Sequence, residues 1–179
     1  MKSTNKTKFT VMVGLFSGIA FLLQVLGTMM GIKVGGFLDV EISDLPALII
    51  SLAYGPIAGI VTELIKNILH CTMSSTGFVG ELANFVMNGT FCFTAGIIYK
   101  YKKSFKGAIL ALSCGTLALA LAGVIANFYI MLPLYMPDAE LTVKLNLVLY
   151  TILPFNLVRG AVLSLITIPL YKKISKLIK

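Results

Sequence analysis

The chain has no tryptophan, one histidine, three cysteines and only seven acidic residues among 179. Each scarcity closes off a class of function. With His70 alone, most histidine-based membrane hydrolases are ruled out, and the acids are too badly placed for a credible serine, histidine and carboxylate arrangement. Cys71, Cys92 and Cys114 lack any CxxC spacing, whereas a zinc site takes about four ligands in close pairs. They read as packing thiols, and no metal is expected. No GxxxxGK[ST] run is present, so nothing here cradles a nucleotide phosphate, and any uphill movement needs an ATPase supplied by partners. Charged residues make up 12% of the chain, against roughly 25% in an ordinary soluble domain. That deficit argues against a soluble fold.

What the chain has in quantity is apolar length. Hydrophobic residues reach 58%, and a helix of about 20 of them crosses a bilayer core. Long runs stand out at about 9–30, 80–99, 107–134 and 145–171. The first follows a basic, polar start and is too long for a cleavable signal, so it should stay in the membrane. The stretch from Leu45 to His70 is either one kinked span or two short ones, about 42–54 and 56–70, hinged at Tyr54-Gly55-Pro56. The cations decide between these readings. Lys2, Lys6 and Lys8, then Lys100, Lys102, Lys103 and Lys106, then Lys172, Lys173, Lys176 and Lys179 account for eleven of the fifteen. A single crossing puts the middle cluster on the opposite side from the first, against the positive-inside rule. Two crossings put all three on one side. The expected fold is therefore an all-α integral membrane domain over 1–179, with six transmembrane helices and both termini cytoplasmic. The net charge of +8 is then a marker of orientation, not of nucleic-acid binding.

In this topology Asp39, Glu41 and Asp44 fall in the first outer loop, Glu81 at the outer start of the fourth helix, and Asp138 and Glu140 in the last outer loop. Only Glu63 lies within a span, three residues before Lys66, where the two can neutralise each other on one helix face. The first loop alternates as Leu38, Asp39, Val40, Glu41, Ile42, which suits an extended flap with one apolar face. That face either covers something or dips into the interface. Ser43 or Asp44 should cap the next helix, with Pro46 in its first turn.

Polar residues inside the spans need partners, because an unsatisfied amide in lipid costs kilocalories. Glu81, Asn84, Asn88 and Cys92 form one stripe on the fourth helix. Asn127, followed by Phe128 and Tyr129, lies toward the outer end of the fifth. Asn156 and Arg159 share a face of the sixth, after Pro154 and Phe155. If Glu81, Asn84, Asn127, Asn156 and Arg159 converge, they make a polar pocket open outward, walled by Phe85, Phe128, Tyr129 and Phe155. The alternative is that each Asn joins two helices, which is the preferred reading for Asn88. Arg159 requires an acceptor from protein or ligand. On the first helix, Gly14 and Gly18, with Ser17 and Ala20 nearby, form a small-residue face that serves either internal packing or docking onto a second membrane protein. His70 beside Cys71 reads as interfacial structure.

Several blocks then match a known family. The run Phe37-Leu-Asp-Val-Glu-Ile-Ser-Asp-Leu-Pro-Ala-Leu, with Tyr54-Gly-Pro-Ile-Ala-Gly, Glu63-Leu-Ile-Lys-Asn, Gly80-Glu-Leu-Ala-Asn-Phe, Asn127-Phe-Tyr and Pro154-Phe-Asn-Leu-Val-Arg-Gly, resembles the riboflavin-specific S components of energy-coupling factor (ECF) vitamin transporters. The resemblance covers nearly the whole chain. It implies a bacterial cell-membrane transport subunit that is no enzyme and holds no cofactor, riboflavin being the transported substrate. The implied partners are a transmembrane coupling protein and two cytoplasmic ATPases. Carried over by motif, Asn127, Asn156 and Arg159 contact the vitamin, with Glu81, Asn84, Tyr129 and the backbone from Leu38 through Asp39 and Val40 to Glu41 as further candidates, and Gly14 and Gly18 dock the coupling protein. Arg159 stands where Lys is expected, and a planar fork and an ammonium are not interchangeable. The alternative within the class is an S component for another small vitamin or metabolite.

Overall fold

The computed structural model describes the backbone of residues 2–31, 33–34, 38–39, 42–73 and 78–178, and the side chains of 6–31, 42–73 and 78–173. These residues form six helices. The first, α1, is Lys2–Met30, ended by Gly31 at φ 64°. A ribbon follows in which β1 (Lys33–Val34) pairs antiparallel with β2 (Leu38–Asp39), Val34 opposite Leu38. This is the extended segment the alternation predicts, seen at Leu38 and Asp39; Val40 and Glu41 lie outside the described residues. Helices α2 (Leu45–Tyr54), α3 (Pro56–His70) and α4 (Val79–Tyr101) come next, with a 3₁₀ turn at Cys71–Met73. Helix α5 runs through Phe105–Ala126, a π segment at Asn127–Met131 and Leu132–Tyr135. Helix α6 repeats the pattern as Leu141–Leu147, a π segment at Val148–Ile152 and Leu153–Ile178. Helices α1, α4, α5 and α6 are each long and apolar enough to cross a membrane.

The two short helices fold back on each other. Lys66 Nζ lies 2.6 Å from Asp44 Oδ1, and a Cβ on Gly59 would meet Ser51 Cβ at 2.6 Å. Both pairs are equidistant in sequence from Gly55, so α2 and α3 form an antiparallel hairpin turning there. Gly55 makes the turn possible at φ 100°, which side-chain-bearing residues rarely adopt, and Pro56 starts α3 where its missing N–H costs nothing. At ten residues α2 rises only about 15 Å. Its shelter is the bundle itself: Leu45 to Leu52 are all buried.

Helix α4 packs antiparallel to α3 in a fixed register. Gly59 abuts Cys92 and His70 meets Glu81, and eleven residues, about three helical turns, separate Gly59 from His70 on α3 and Glu81 from Cys92 on α4. A side chain at Gly96 would overlap Ser51 Oγ and lie 2.8 Å from the Pro56 Cα, so the hairpin can seat on α4 only because that position is bare.

The ends of the bundle are chemically distinct. Phe9 of α1 meets Tyr54 at 6.2 Å, Tyr99 of α4 meets Tyr171 of α6 at 5.5 Å, and Lys172 sits 4.3 Å over the Phe105 ring. The hairpin turn and the described residues of the three lysine clusters therefore gather at one end, with Asp44, His70 and Glu81 at the other.

Each π segment precedes a proline by two residues, Pro133 and Pro154. A proline ring in a helix interior collides with the carbonyl four residues back, and a wider turn relieves the collision. The Leu132 N–H bonds the Asn127 carbonyl and the Leu153 N–H bonds the Val148 carbonyl, each five residues back. The widened turns place Phe128 and Phe155 against one apolar cluster of Leu132, Val148 and Ile152.

Gly96→Val should lower the stability of the folded protein by about 3 kcal/mol through overpacking, whereas Gly14→Val, where an added Cβ meets nothing within 4 Å, should leave it unchanged. Thermal unfolding in mild detergent measures both. Equal midpoints for the two variants would refute the close seat at Gly96.

Candidate binding site

Asp44 stands in the turn just before α2, at the end of the first loop. It is fully buried, with Oδ1 2.6 Å from Lys66 Nζ and Oδ2 2.6 Å from Arg159 Nη2. The cap expected from Ser43 or Asp44 is replaced: Asp44 makes no side-chain cap, because charge-assisted bonds to two cations outcompete one backbone amide. Lys66 also lies 2.7 Å from Glu63 Oε2, which confirms the local pair and extends it into a four-residue network. Ser43 Oγ and the Asn67 amide add contacts at 3.5 and 3.4 Å. Arg159, whose acceptor the spacing alone left open, thus finds it in protein, 115 residues away along the chain.

The α4 stripe meets α3. Glu81 Oε1 lies 3.0 Å from His70 Nδ1, and His70 Nε2 lies 3.4 Å from Thr28 Oγ1 on α1. His70 is thereby a junction of three helices, a structural role for this helix-end residue. The α3–α4 register puts Glu63 and Asn67 opposite Asn88 and Asn84, and the Asn88 Nδ2 donates to Asn84 Oδ1 at 3.0 Å. Asn88 is fully buried, its amide bonding within α4 and its Oδ1 left without a hydrogen-bond partner among the described residues, so no bond from it to a second helix is seen there.

A second polar group is built where α5 and α6 touch. Asn127 and Asn156 are 2% and 1% exposed. Each returns its amide N–H to its own helix, to the Gly123 carbonyl at 2.8 Å and the Ile152 carbonyl at 2.9 Å. A Cβ on Gly123 would stand 2.7 Å from Asn156 Nδ2, so this glycine lets the two asparagines share one seam. Met87 of α4 closes it, its sulfur 3.8 Å from the Asn127 amide. Asn156 Oδ1 is buried without a hydrogen-bond partner among the described residues. One turn further along α6 stands Arg159, held by Asp44. The structure therefore brings Asn127, Asn156 and Arg159 into one continuous region and commits Glu81 to His70. Tyr129, 72% exposed, faces outward and packs edge-on against Phe128 at 5.1 Å. Leu38 and Asp39 are placed only as backbone of β2.

The small-residue face of α1 divides. Ser17 and Ala20 join Val13 and Phe16 on the buried side, whereas Gly14 and Gly18 face away from the bundle.

Residues 8–171 match the family described as the substrate-specific component of ECF transporters. The chain belongs to that family. It is a multi-pass protein of the bacterial plasma membrane and a transport subunit, not an enzyme. Among curated proteins it is 32% identical over 178 residues to the riboflavin transporter RibU of Staphylococcus aureus, covering 97% of this chain and 94% of that one. It is 35% identical over 170 residues to the riboflavin transporter FmnP of Bacillus subtilis, covering 90% and 88%. A solved structure, described as that of the S component of a bacterial ECF transporter, matches with a TM-score of 0.83 at 32% identity, covering 97% of this chain and 99% of that one. Sequence reasoning missed the junctions of Asp44 and His70. The signal available was the excess of buried-segment cations over local acids, which demanded an acid from elsewhere.

Asp44→Ala should cost about 3–5 kcal/mol, since it leaves the buried Lys66 and Arg159 without their shared carboxylate. Unfolding of the single variants and of Asp44→Ala combined with Arg159→Leu forms the test. The double variant should recover part of the loss; strict additivity would show that the pair is not coupled.

Proposed function

We propose that this chain is the riboflavin-capturing S component of an ECF transporter, crossing the membrane six times with both termini in the cytoplasm. The α2–α3 hairpin and the gathering of lysine clusters at one end support that topology. The family supports an ECF module as partner, and the proposed composition is one transmembrane coupling protein with two cytoplasmic ATPases. Riboflavin is supported by the two relatives, both riboflavin transporters, and by the chemistry of the α5–α6 seam.

The observation that carries the site is the buried Asn156 Oδ1 beside Asn127. Riboflavin is uncharged, with an amide-like pyrimidine edge that presents both a donor and acceptors. Asn156 Oδ1 is an acceptor awaiting a donor, and side-chain amides can satisfy the rest of such an edge. Asn127, Asn156 and Arg159 are the proposed contacts, with Glu81, Asn84, Tyr129 and the Leu38, Asp39, Val40 and Glu41 segment around them. Asp44 gives Arg159 a fixed orientation and offsets its charge. Phe128 and Phe155 supply flat apolar surface near the seam.

Gly14 and Gly18 are the proposed seat of the coupling protein. Their faces are bare while the packing side of α1 is already filled, so another helix can approach closely there. Capture on the outer side is followed by reorientation within the membrane, driven by ATP hydrolysis in the partners.

Titrating purified protein with riboflavin and following flavin fluorescence tests the substrate. Quenching should saturate below about 1 μM, and absence of binding there, with binding of another vitamin, would reassign the substrate. Asn156→Leu and Arg159→Ala should each weaken binding by tenfold or more, on the order of 1.4 kcal/mol. Gly14→Leu should bind normally yet abolish uptake in cells; lost binding in that variant would contradict a docking role.

A further inference from the structure

A cavity of about 270 Å³ opens at the opposite end of the bundle from Asn127 and Asn156. Tyr54, Gly55 and Pro56 of the hairpin turn line it, with Ile57 on one side and Lys100 and Lys103 on the other. No carboxylate lines it, and neither lysine has an ion-pair partner among the described residues. Helix α2 ends and α3 begins at this same turn, so their opposed dipoles offset. The field inside is therefore set by two ammonium groups. Shape and backbone keep the space open: Gly55 bends the chain away at φ 100°, and the hairpin's close seat on Gly96 forms its floor.

We infer that this cavity is a binding site for the phosphate headgroup of an anionic membrane lipid. Two lysines supply point charges for a phosphate. The wall next to them is apolar, and Ile57 is 60% exposed, a surface on which an acyl chain can lie and a free phosphate cannot use. The position is also at headgroup depth, since the lysine clusters mark the end of the apolar spans. Assignment to the cytoplasmic leaflet rests on the topology proposed above; the phosphate chemistry does not. Occupancy would brace the Tyr54-Gly55-Pro56 turn, the point about which the hairpin carrying Asp44 and Lys66 hinges.

Native mass spectrometry of the delipidated full chain, offered phosphatidylglycerol or phosphatidylcholine, tests this directly. One phosphatidylglycerol should be retained in preference to phosphatidylcholine. Lys100→Gln with Lys103→Gln should weaken that first binding by about tenfold, while Lys172→Gln with Lys173→Gln should not. Circular dichroism on each variant confirms the fold without reference to any vitamin, so a failed riboflavin titration leaves this result interpretable. Equal retention of the two lipids, or wild-type retention in the Lys100 and Lys103 double variant, would overturn the site. Displacement of the lipid by inorganic phosphate at about equal concentration would overturn the lipid assignment in favour of the free anion.

Discussion

One carboxylate with two cations is the constraint around which this bundle is organised. Asp44, at the start of α2, holds Lys66 on α3 with one oxygen and Arg159 on α6 with the other, all but removed from water. A lone charge at that depth would be prohibitive, and even a paired one gains little over apolar packing. What the arrangement secures is position. It ties the open ends of the α2–α3 hairpin together, and it anchors both to the helix that carries Asn156. The hairpin is too short to be held by lipid alone, so its place depends on this junction at one end and on the Gly55 turn at the other.

The same economy recurs with His70. Its two ring nitrogens reach Glu81 on α4 and Thr28 on α1, so the far end of α3 is fastened to both neighbours. These two junctions fix the α1–α4 part of the bundle, while Asn127 and Asn156 lie at the separate α5–α6 seam. Among the described residues Gln24, Thr62, Glu63, Asn67 and Asn88 also leave a buried oxygen without a hydrogen-bond partner, and that of Asn156 is the one at the α5–α6 seam. The π turns contribute in another way. By absorbing Pro133 and Pro154 they let two long helices continue, with Phe128 and Phe155 packed against one apolar cluster.

Much of the architecture was legible beforehand. Apolar length located the four long helices, and α6 runs beyond its apolar stretch at both ends, from Leu141 through Lys176. Charge clustering chose the hairpin over a single kinked helix. The Glu63 and Lys66 pair followed from spacing on one face. Gly14 and Gly18 were separable from Ser17 and Ala20 only once the bundle showed which side of α1 was filled.

The sequence by itself determined that this is a membrane protein with eleven of its fifteen cations in three clusters, which helices exist, and which polar residues need partners. Those are matters of composition and of periodicity within a single helix. Only the tertiary structure decided that Asp44, one of three acids close together before α2, is the acceptor of Arg159, and that Glu81 serves His70. Such pairings join residues far apart along the chain. They depend on the register in which helices pack, and that register is set by where Gly59, Gly96 and Gly123 let neighbours come close, which no local spacing encodes.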